Sequence, residues 1–430
     1  MKKILYIIIA GIFCVSMISL LALNVNAASP TSSWPMFHFG VTTSTGPSSN
    51  QTLWSYPTGG KLWSSPAVVG GIVYAGSFDN QVYAVNGTTG TLLWNYTTGK
   101  MVYSSPAVAN GVVYVGSNDH NVYAINSSNG AKIWNYTTGK EVQSCPAVSN
   151  GIIYVGSNDD NLYALNATTG VPVWNYTTGN DVISSPAIVN GAVYFGSYDH
   201  RVYALNAASG AQMWNYSTGS VVESSPAIAN GVVYIGSYDN KTYALNASTG
   251  TQLWNVTTGY DLCVQASPVV SGGIVYTGGS YDNNVYAYNA TNGALIWNYT
   301  TGGGIYTVPA LAGNVLYVNS FDNKTYALDA ATGAPLWSYQ TGGRLYSSPA
   351  VADGIAYVTS YDKSIYAIGA ATPTATPTPT LIASPAPTQT STSTPGSSSG
   401  LSSTVIYVVV AVVIIVAVVA VAAVALRRRR

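Results

Sequence analysis

Eight tryptophans recur through this chain at a nearly fixed interval. Trp54, Trp94, Trp134, Trp174, Trp214 and Trp254 are 40 residues apart, and Trp297 and Trp337 follow at 43 and 40. Eight prolines keep step with them: Pro66, Pro106, Pro146, Pro186, Pro226, Pro268, Pro309 and Pro349. Such a period means one supersecondary unit copied many times, each copy burying its apolar face against the next. The unit is legible in residues 224–255, SSPAIANGVVYIGSYDNKTYALNASTGTQLWN. Asn230-Gly231 is a type I′ hairpin dipeptide, which needs positive φ at both central residues. Ser237-Tyr238-Asp239-Asn240 and Ser248-Thr249-Gly250 mark two further turns. Between the turns, Val232-Val233-Tyr234-Ile235 and Thr242-Tyr243-Ala244-Leu245 are apolar runs of strand length. Four strands in about 40 residues make one blade of a β-propeller. Composition agrees, since 43 Gly and 34 Tyr with only 7% charged residues favour strands and tight turns over helices.

The ring must also close. The last unit, from Ser347 to about Gly369, has no tryptophan of its own, while Thr52-Leu53-Trp54-Ser55-Tyr56 is a fourth strand without a first three. Pairing the two completes a blade from both ends of the repeat region. The equal numbers of Pro and Trp then predict an all-β, eight-bladed propeller of four-stranded antiparallel blades over residues 51–370.

The strings YALNATTGVPVWNYTTG (163–179) and YALDAATGAPLWSYQTG (326–342) resemble the tryptophan-docking repeat of the PQQ-type propellers. That family includes quinoprotein dehydrogenases and outer-membrane assembly factors of the BamB type. Trp34-Pro35-Met36-Phe37 followed by Thr45-Gly46 is similar to the lead-in of such proteins, so the resemblance spans residues 34–369. It implies that the eight tryptophans wedge between neighbouring blades and that the proline-bearing strand is innermost. Asp329 fills the family's usual Asp position, which Asn166, Asn206 and Asn246 occupy elsewhere. In the quinoprotein dehydrogenases a vicinal Cys-Cys disulfide, a calcium site and a catalytic Asp hold PQQ. Adjacent cysteines and matching long insertions are missing here, so neither a cofactor nor a catalytic residue is expected.

The flanks carry different signals. Lys2 and Lys3 precede the apolar run Ile4 to Leu23 and a small-residue pattern, Val25-Asn26-Ala27. This reads as a signal peptide over residues 1–28, with an uncleaved N-terminal anchor as the alternative. Residues 29–50 are a lead-in. Residues 371–403, mostly Pro, Thr, Ser and Ala, cannot bury a core and are expected to form an extended stalk. Val405 to Leu426 is uncharged; as a helix it is roughly 33 Å long, enough to cross a bilayer. A transmembrane helix over 404–426 with cytoplasmic Arg427 to Arg430 follows the positive-inside rule, which places the propeller outside the cell.

With those ends removed, the body holds 9 basic residues against 15 acidic ones and no basic stripe, which argues against nucleic acid. Fourteen N-x-S/T sequons stand in the exported part: Asn50, Asn86, Asn95, Asn126, Asn135, Asn166, Asn175, Asn215, Asn240, Asn246, Asn255, Asn289, Asn298 and Asn323. Of these, Asn95, Asn135, Asn166, Asn175, Asn215, Asn246 and Asn298 are the main glycosylation candidates; repeat copying of turn residues is the plainer reading.

An Asp recurs in each second turn, at Asp79, Asp119, Asp159, Asp199, Asp239, Asp282, Asp322 and Asp362. Calcium needs six to eight oxygens at one point, so these are expected to cap their own turns, and no metal site is expected. Cys145 and Cys263 fall in the third and sixth units, too far apart for a disulfide.

One series breaks the monotony. Three residues before each repeat proline stand Trp63, Tyr103, Gln143, Ile183, Glu223, Gln265, Tyr306 and Tyr346, with Lys61, Lys100, Glu141, Asp181, Asp261 and Arg344 nearby. These are expected to ring the mouth of the central channel. Trp63, Tyr103, Gln143, Glu223, Gln265, Tyr306, Tyr346 and Arg344 form a candidate ligand site; drift at an exposed loop is the alternative. Function then reads as a non-enzymatic, membrane-anchored, monomeric binding or adhesion ring for a glycan, a peptide or an envelope protein. A structural coat component and a PQQ-dependent oxidoreductase are the other two readings.

Overall fold

A computed structural model of the chain describes residues 41–42, 45–259 and 266–370. The chain divides into two units, residues 1–372 and 373–430, and every described residue belongs to the first. The segments expected to be a signal peptide, a stalk, a C-terminal helix and an arginine tail, together with Trp34, His38, Asp261, Cys263 and Gln265, lie outside the described residues. Among the described residues no helix is long and apolar enough to cross a membrane.

Eight sheets follow one another around an axis, each built on four antiparallel strands. Blades 1 to 7 cover residues 67–97, 107–137, 147–177, 187–217, 227–257, 269–300 and 310–340. In blade 5 the strands are Ala227–Ala229, Val232–Ser237, Lys241–Asn246 and Gln252–Thr257. Asn230 and Gly231 take φ of 50° and 75°, as a type I′ turn demands. The three-residue strand after each proline is innermost and neighbours its counterparts in adjacent blades. Blade 8 is made of Ala350–Ala352, Ile355–Thr359, Ser364–Gly369 and, as its outer strand, Gln51–Pro57. Gln51 lies opposite Gly369, Trp54 opposite Ala367 and Pro57 opposite Ser364, so the ring is closed by strand pairing between its two ends.

The core lies between blades. Tyr74 and Trp94 of blade 1, for example, pack with Val113, Val115 and Tyr123 of blade 2. Seven of the eight outer-strand tryptophans lean on the following blade, where the indole N–H donates to a backbone carbonyl. The seven bonds are Trp54 to Gly87, Trp94 to Ser127, Trp134 to Ala167, Trp174 to Ala207, Trp214 to Ala247, Trp254 to Ala290 and Trp297 to Ala330, at 2.8 to 3.0 Å. The turn beneath each ring must come very close. At Gly90, with φ of 72°, an added Cβ would lie 2.8 Å from Trp54, so both the backbone and the space require glycine.

The eighth tryptophan is seated differently, because the break between the chain's ends falls where its turn would be. Trp337 packs on Tyr317, with ring centroids 5.7 Å apart, and makes no such indole bond among the described residues. The lead-in fills the gap. The Pro47 carbonyl accepts from the Tyr317 hydroxyl at 3.5 Å, and Asn50 Nδ2 donates to the Ser338 carbonyl at 2.8 Å. Further back, Val41–Thr42 pairs in parallel with Leu311 and Ala312, adding a fifth strand on the axis side of blade 7. It sits near the turn end of that inner strand, on the face opposite the proline loops.

Candidate functional site

The loop entering each inner strand carries two consecutive small residues before the proline, and these build the channel wall. The N–H of Ser65 donates to Ser105 Oγ (2.8 Å), Ser105 to Cys145 Sγ (3.2 Å), and Cys145 to Ser185 Oγ (3.0 Å). The series continues from Ser185 to Ser225 and from Ser225 to Ser267, both at 2.8 Å. It resumes from Val308 to Ser348 and from Ser348 back to Ser65, also at 2.8 Å. This belt links blade to blade around the axis. It is interrupted between blades 6 and 7, where Val308 has no side-chain acceptor to offer Ser267. The belt was not singled out in the sequence; the recurring Ser-Ser-Pro was its signal.

Above the belt lies a cavity of 350 Å³ lined by Trp63, Tyr103, Gln143, Ile183, Glu223, Tyr306 and Tyr346, with the belt residues as its floor. Tyr198 also lines it and was missed, because it sits in a turn read only for its Asp. Six of the candidate residues thus share one mouth. Arg344 stands at its margin, the guanidinium carbon 5.8 Å from the Phe321 ring centroid. Gln265 is outside the described residues.

A second ring, from the turn between the second and third strands, surrounds the first: Phe78, Asn118, Asn158, Tyr198, Tyr238, Tyr281, Phe321 and Tyr361. Together the two rings divide the mouth into halves. From blade 6 through blade 8 to blade 2 it is aromatic. Tyr306 lies 4.1 Å from Phe321, Phe321 4.2 Å from Tyr346, Tyr346 4.3 Å from both Tyr361 and Trp63, and Phe78 4.5 Å from Tyr103, by centroids. Burial pushes the Tyr103 and Tyr361 hydroxyls above the usual tyrosine range, so both are neutral donors at physiological pH.

The other half is polar. The Glu223 carboxylate accepts from the hydroxyls of Tyr198 and Tyr238. Asp181 pairs with Lys140 at 4.0 Å, and Glu141 with His120 at 3.9 Å. Desolvation, with Asp160 and Glu141 close by, raises the Asp181 carboxyl despite Lys140.

The turn aspartates are structural and do more than cap. Asp119 Oδ1 accepts from the Asn121 N–H at 3.0 Å, while Oδ2 accepts from the Tyr123 hydroxyl (2.7 Å) and from the N–H of Gly99 in the preceding blade (2.5 Å). The same bond from a preceding glycine is made to Asp159, Asp199, Asp239, Asp322 and Asp362, so six of the eight aspartates also clamp two blades together. Cys145 is buried as a free thiol, and burial raises its pKa, which keeps it protonated and unreactive.

A family model described as outer membrane protein assembly factor BamB, of the PQQ-repeat type, matches residues 39–144, 121–220, 184–305 and 300–395. The chain belongs to this BamB-type PQQ-repeat family. No curated protein matches its sequence. Among solved structures this BamB-type chain is similar to BamB from Moraxella catarrhalis, at 19% identity and TM-score 0.65, over 74% of this chain and 99% of that one. The computationally designed Ika8 protein gives 17% and 0.67, over 74% and 100%. Quinohemoprotein alcohol dehydrogenase from Comamonas testosteroni gives 16% and 0.65, over 81% and 82%. At such identities the likeness is one of fold.

The fold occurs with and without a quinone cofactor, so the mouth must be judged on its own donors. Among the described residues its lining offers one carboxylate, Glu223, already held by two tyrosines, and one thiol, Cys145, whose neighbours in the belt are serines. Among the described residues no three His, Cys, Asp or Glu side chains converge on a point where calcium could sit. These residues do not fit a calcium-bound PQQ.

Proposed function

We propose that this chain is a non-enzymatic binding protein whose ligand enters the mouth above the serine belt. The observation that carries the reading is the contrast between wall and mouth. The belt, the tryptophan seats and the aspartate clamps recur through most of the ring, whereas the lining of one 350 Å³ cavity ranges from Trp63 and Tyr103 through Gln143, Ile183 and Glu223 to Tyr306 and Tyr346. A cavity of this size, aromatic on one side with placed polar groups on the other, has the makeup of a ligand pocket. We further propose that the ring is exported and tethered by the C-terminal apolar segment, outside the cell, where it meets a glycan, a peptide or another envelope component. This rests on the charge and hydropathy of the two ends. The purified full-length chain in detergent, screened against glycans and native envelope extracts, should capture a partner that Trp63→Ala releases. Binding unaffected by Trp63→Ala and Tyr346→Ala sinks the assignment to the mouth. Protease accessibility of the propeller in intact cells tests the topology.

A further inference from the structure

The charge around the mouth follows its aromatic divide. The loops entering blades 8, 1 and 2 carry Arg344, Lys61 and Lys100 and no acidic residue, and the turn of blade 8 adds Lys363. All four are exposed. The loops entering blades 3, 4 and 5 carry Glu141, Asp181 and Glu223 with Lys140, and the turn of blade 3 adds Asp160. Neither the Lys140–Asp181 ion pair nor the His120–Glu141 contact, the two found among the described residues, uses a cation of the aromatic half. Lys61 Nζ instead stands 5.0 Å from the centroid of Tyr361 and the Arg344 guanidinium 5.8 Å from that of Phe321. Cations held over ring faces at the rim remain open to an anion from solvent.

Three features select among ligand classes. The aromatic rings are packed against one another, so little side-chain freedom is lost when something lies on them. Such a platform suits the C–H face of a pyranose. The polar half supplies the Glu223 carboxylate and the Gln143 carboxamide, which bond hydroxyls. The seven backbone N–H groups that form the belt at the floor of the mouth are already bonded to one another's neighbours, so a peptide backbone finds no free donor among them.

We propose that the mouth binds a carboxylate-bearing oligosaccharide in one orientation, its acidic sugar on the Trp63–Tyr346–Tyr361 platform beside Lys61 and Arg344, its hydroxyls toward Glu223 and Gln143. This deepens the binding reading above and rests on it. The acidic half repels the carboxylate and so forbids the reversed pose.

The test titrates full-length protein in detergent, by calorimetry, with tri-galacturonate, its carboxyl-reduced neutral counterpart, a sulfated trisaccharide, and acidic and basic peptides. Tri-galacturonate should bind at least tenfold tighter than the neutral counterpart, and the advantage should shrink when salt is raised, because rim charges are screened. Arg344→Gln and Lys61→Gln, both at exposed side chains, should each remove most of that advantage and bring tri-galacturonate down toward its neutral counterpart. Trp63→Phe should retain binding that Trp63→Ala loses, which separates stacking from misfolding. Equal binding of neutral and carboxylated sugars, a preference for sulfate, or binding of a peptide alone overturns the inference; if Trp63→Ala abolishes that binding, the mouth remains a binding site. Binding of none of these probes overturns the inference, and the reading beneath it then stands or falls on the envelope-extract capture.

Discussion

Gly90 offers a direct measure of how tightly the closing blade is locked. Replacing it with Ala imposes two costs. Its φ of 72° lies in the left-handed region, which an L-residue enters at about 1–2 kcal/mol. Its new Cβ would stand 2.8 Å from Cγ and Cδ2 of Trp54, and overpacking of that kind costs about 1–3 kcal/mol. Gly71 has the same φ of 72° but nothing within 4 Å of the position a Cβ would take, so Gly71→Ala isolates the first cost. Urea denaturation followed by circular dichroism should show a loss of about 1–2 kcal/mol for Gly71→Ala and about 2–5 kcal/mol for Gly90→Ala, with similar slopes. Hydrogen exchange should localise the difference, because a displaced Trp54 loosens Gln51–Pro57 and the strand Ser364–Gly369 on which it pairs. Equal losses for the two variants, or unchanged exchange in Gln51–Pro57, would refute the claim that Trp54 seated on Gly90 locks the ring.

Three further outcomes follow from the same geometry. Ser185→Ala removes the acceptor for the buried Cys145 N–H and should cost about 1–3 kcal/mol, read as a lower urea midpoint; no change means the belt bond is not stabilising. Burial, with the Asp79 hydrogen bond, pushes the Tyr83 hydroxyl up to about 12, and Tyr366 of the closing blade, with Asp362, is likewise pushed up to about 12. A raised tyrosine adds stability that is intact below pH 10 and is lost as pH climbs through the folded value. Unfolding monitored at 295 nm should therefore set in between about pH 10 and 12, and Tyr83→Phe should not shift the midpoint at pH 7 by more than it shifts it at pH 9. In protein recovered from a host that exports and N-glycosylates it, mass spectrometry should find sugar at the exposed outer-strand Asn95 and Asn298 and none at Asn50, whose Nδ2 is held on the Ser338 carbonyl; occupied Asn50 would mean the lead-in is not packed as described.

The eight blades were legible because Trp, Pro and the turn dipeptides each mark a position fixed by local chemistry, and the orphan strand at Trp54 betrayed the closure. The mouth was legible for a related reason: residues three before each proline share one place in the repeat, so topology alone brings Trp63 and Tyr346 together. What could not be read were contacts made by a residue's place between blades. Phe78 and Tyr361 looked like turn residues beside a capping Asp, and nothing local announces that they complete an aromatic arc. Ser105 and Ser185 looked like filler before a proline, although their hydroxyls tie the wall together. The parallel pairing of Val41–Thr42 has no periodic signal at all, being two residues long. Trp337 was expected to dock like the other seven. Its different seat follows from the chain break, a global property invisible in the sequence around it.

That the repeat region starts and ends in blade 8 also decides how it would carry a pull. Tension applied to the chain beyond Ala370 runs along Ser364–Gly369, which is flanked by Gln51–Pro57 on one side and Ile355–Thr359 on the other. Both neighbours are antiparallel to it, and their hydrogen bonds lie across the line of force. The bonds must then shear together, where a hairpin pulled open at its end would unzip one bond at a time. A pull on this strand therefore meets the first and last strands of the repeat region together.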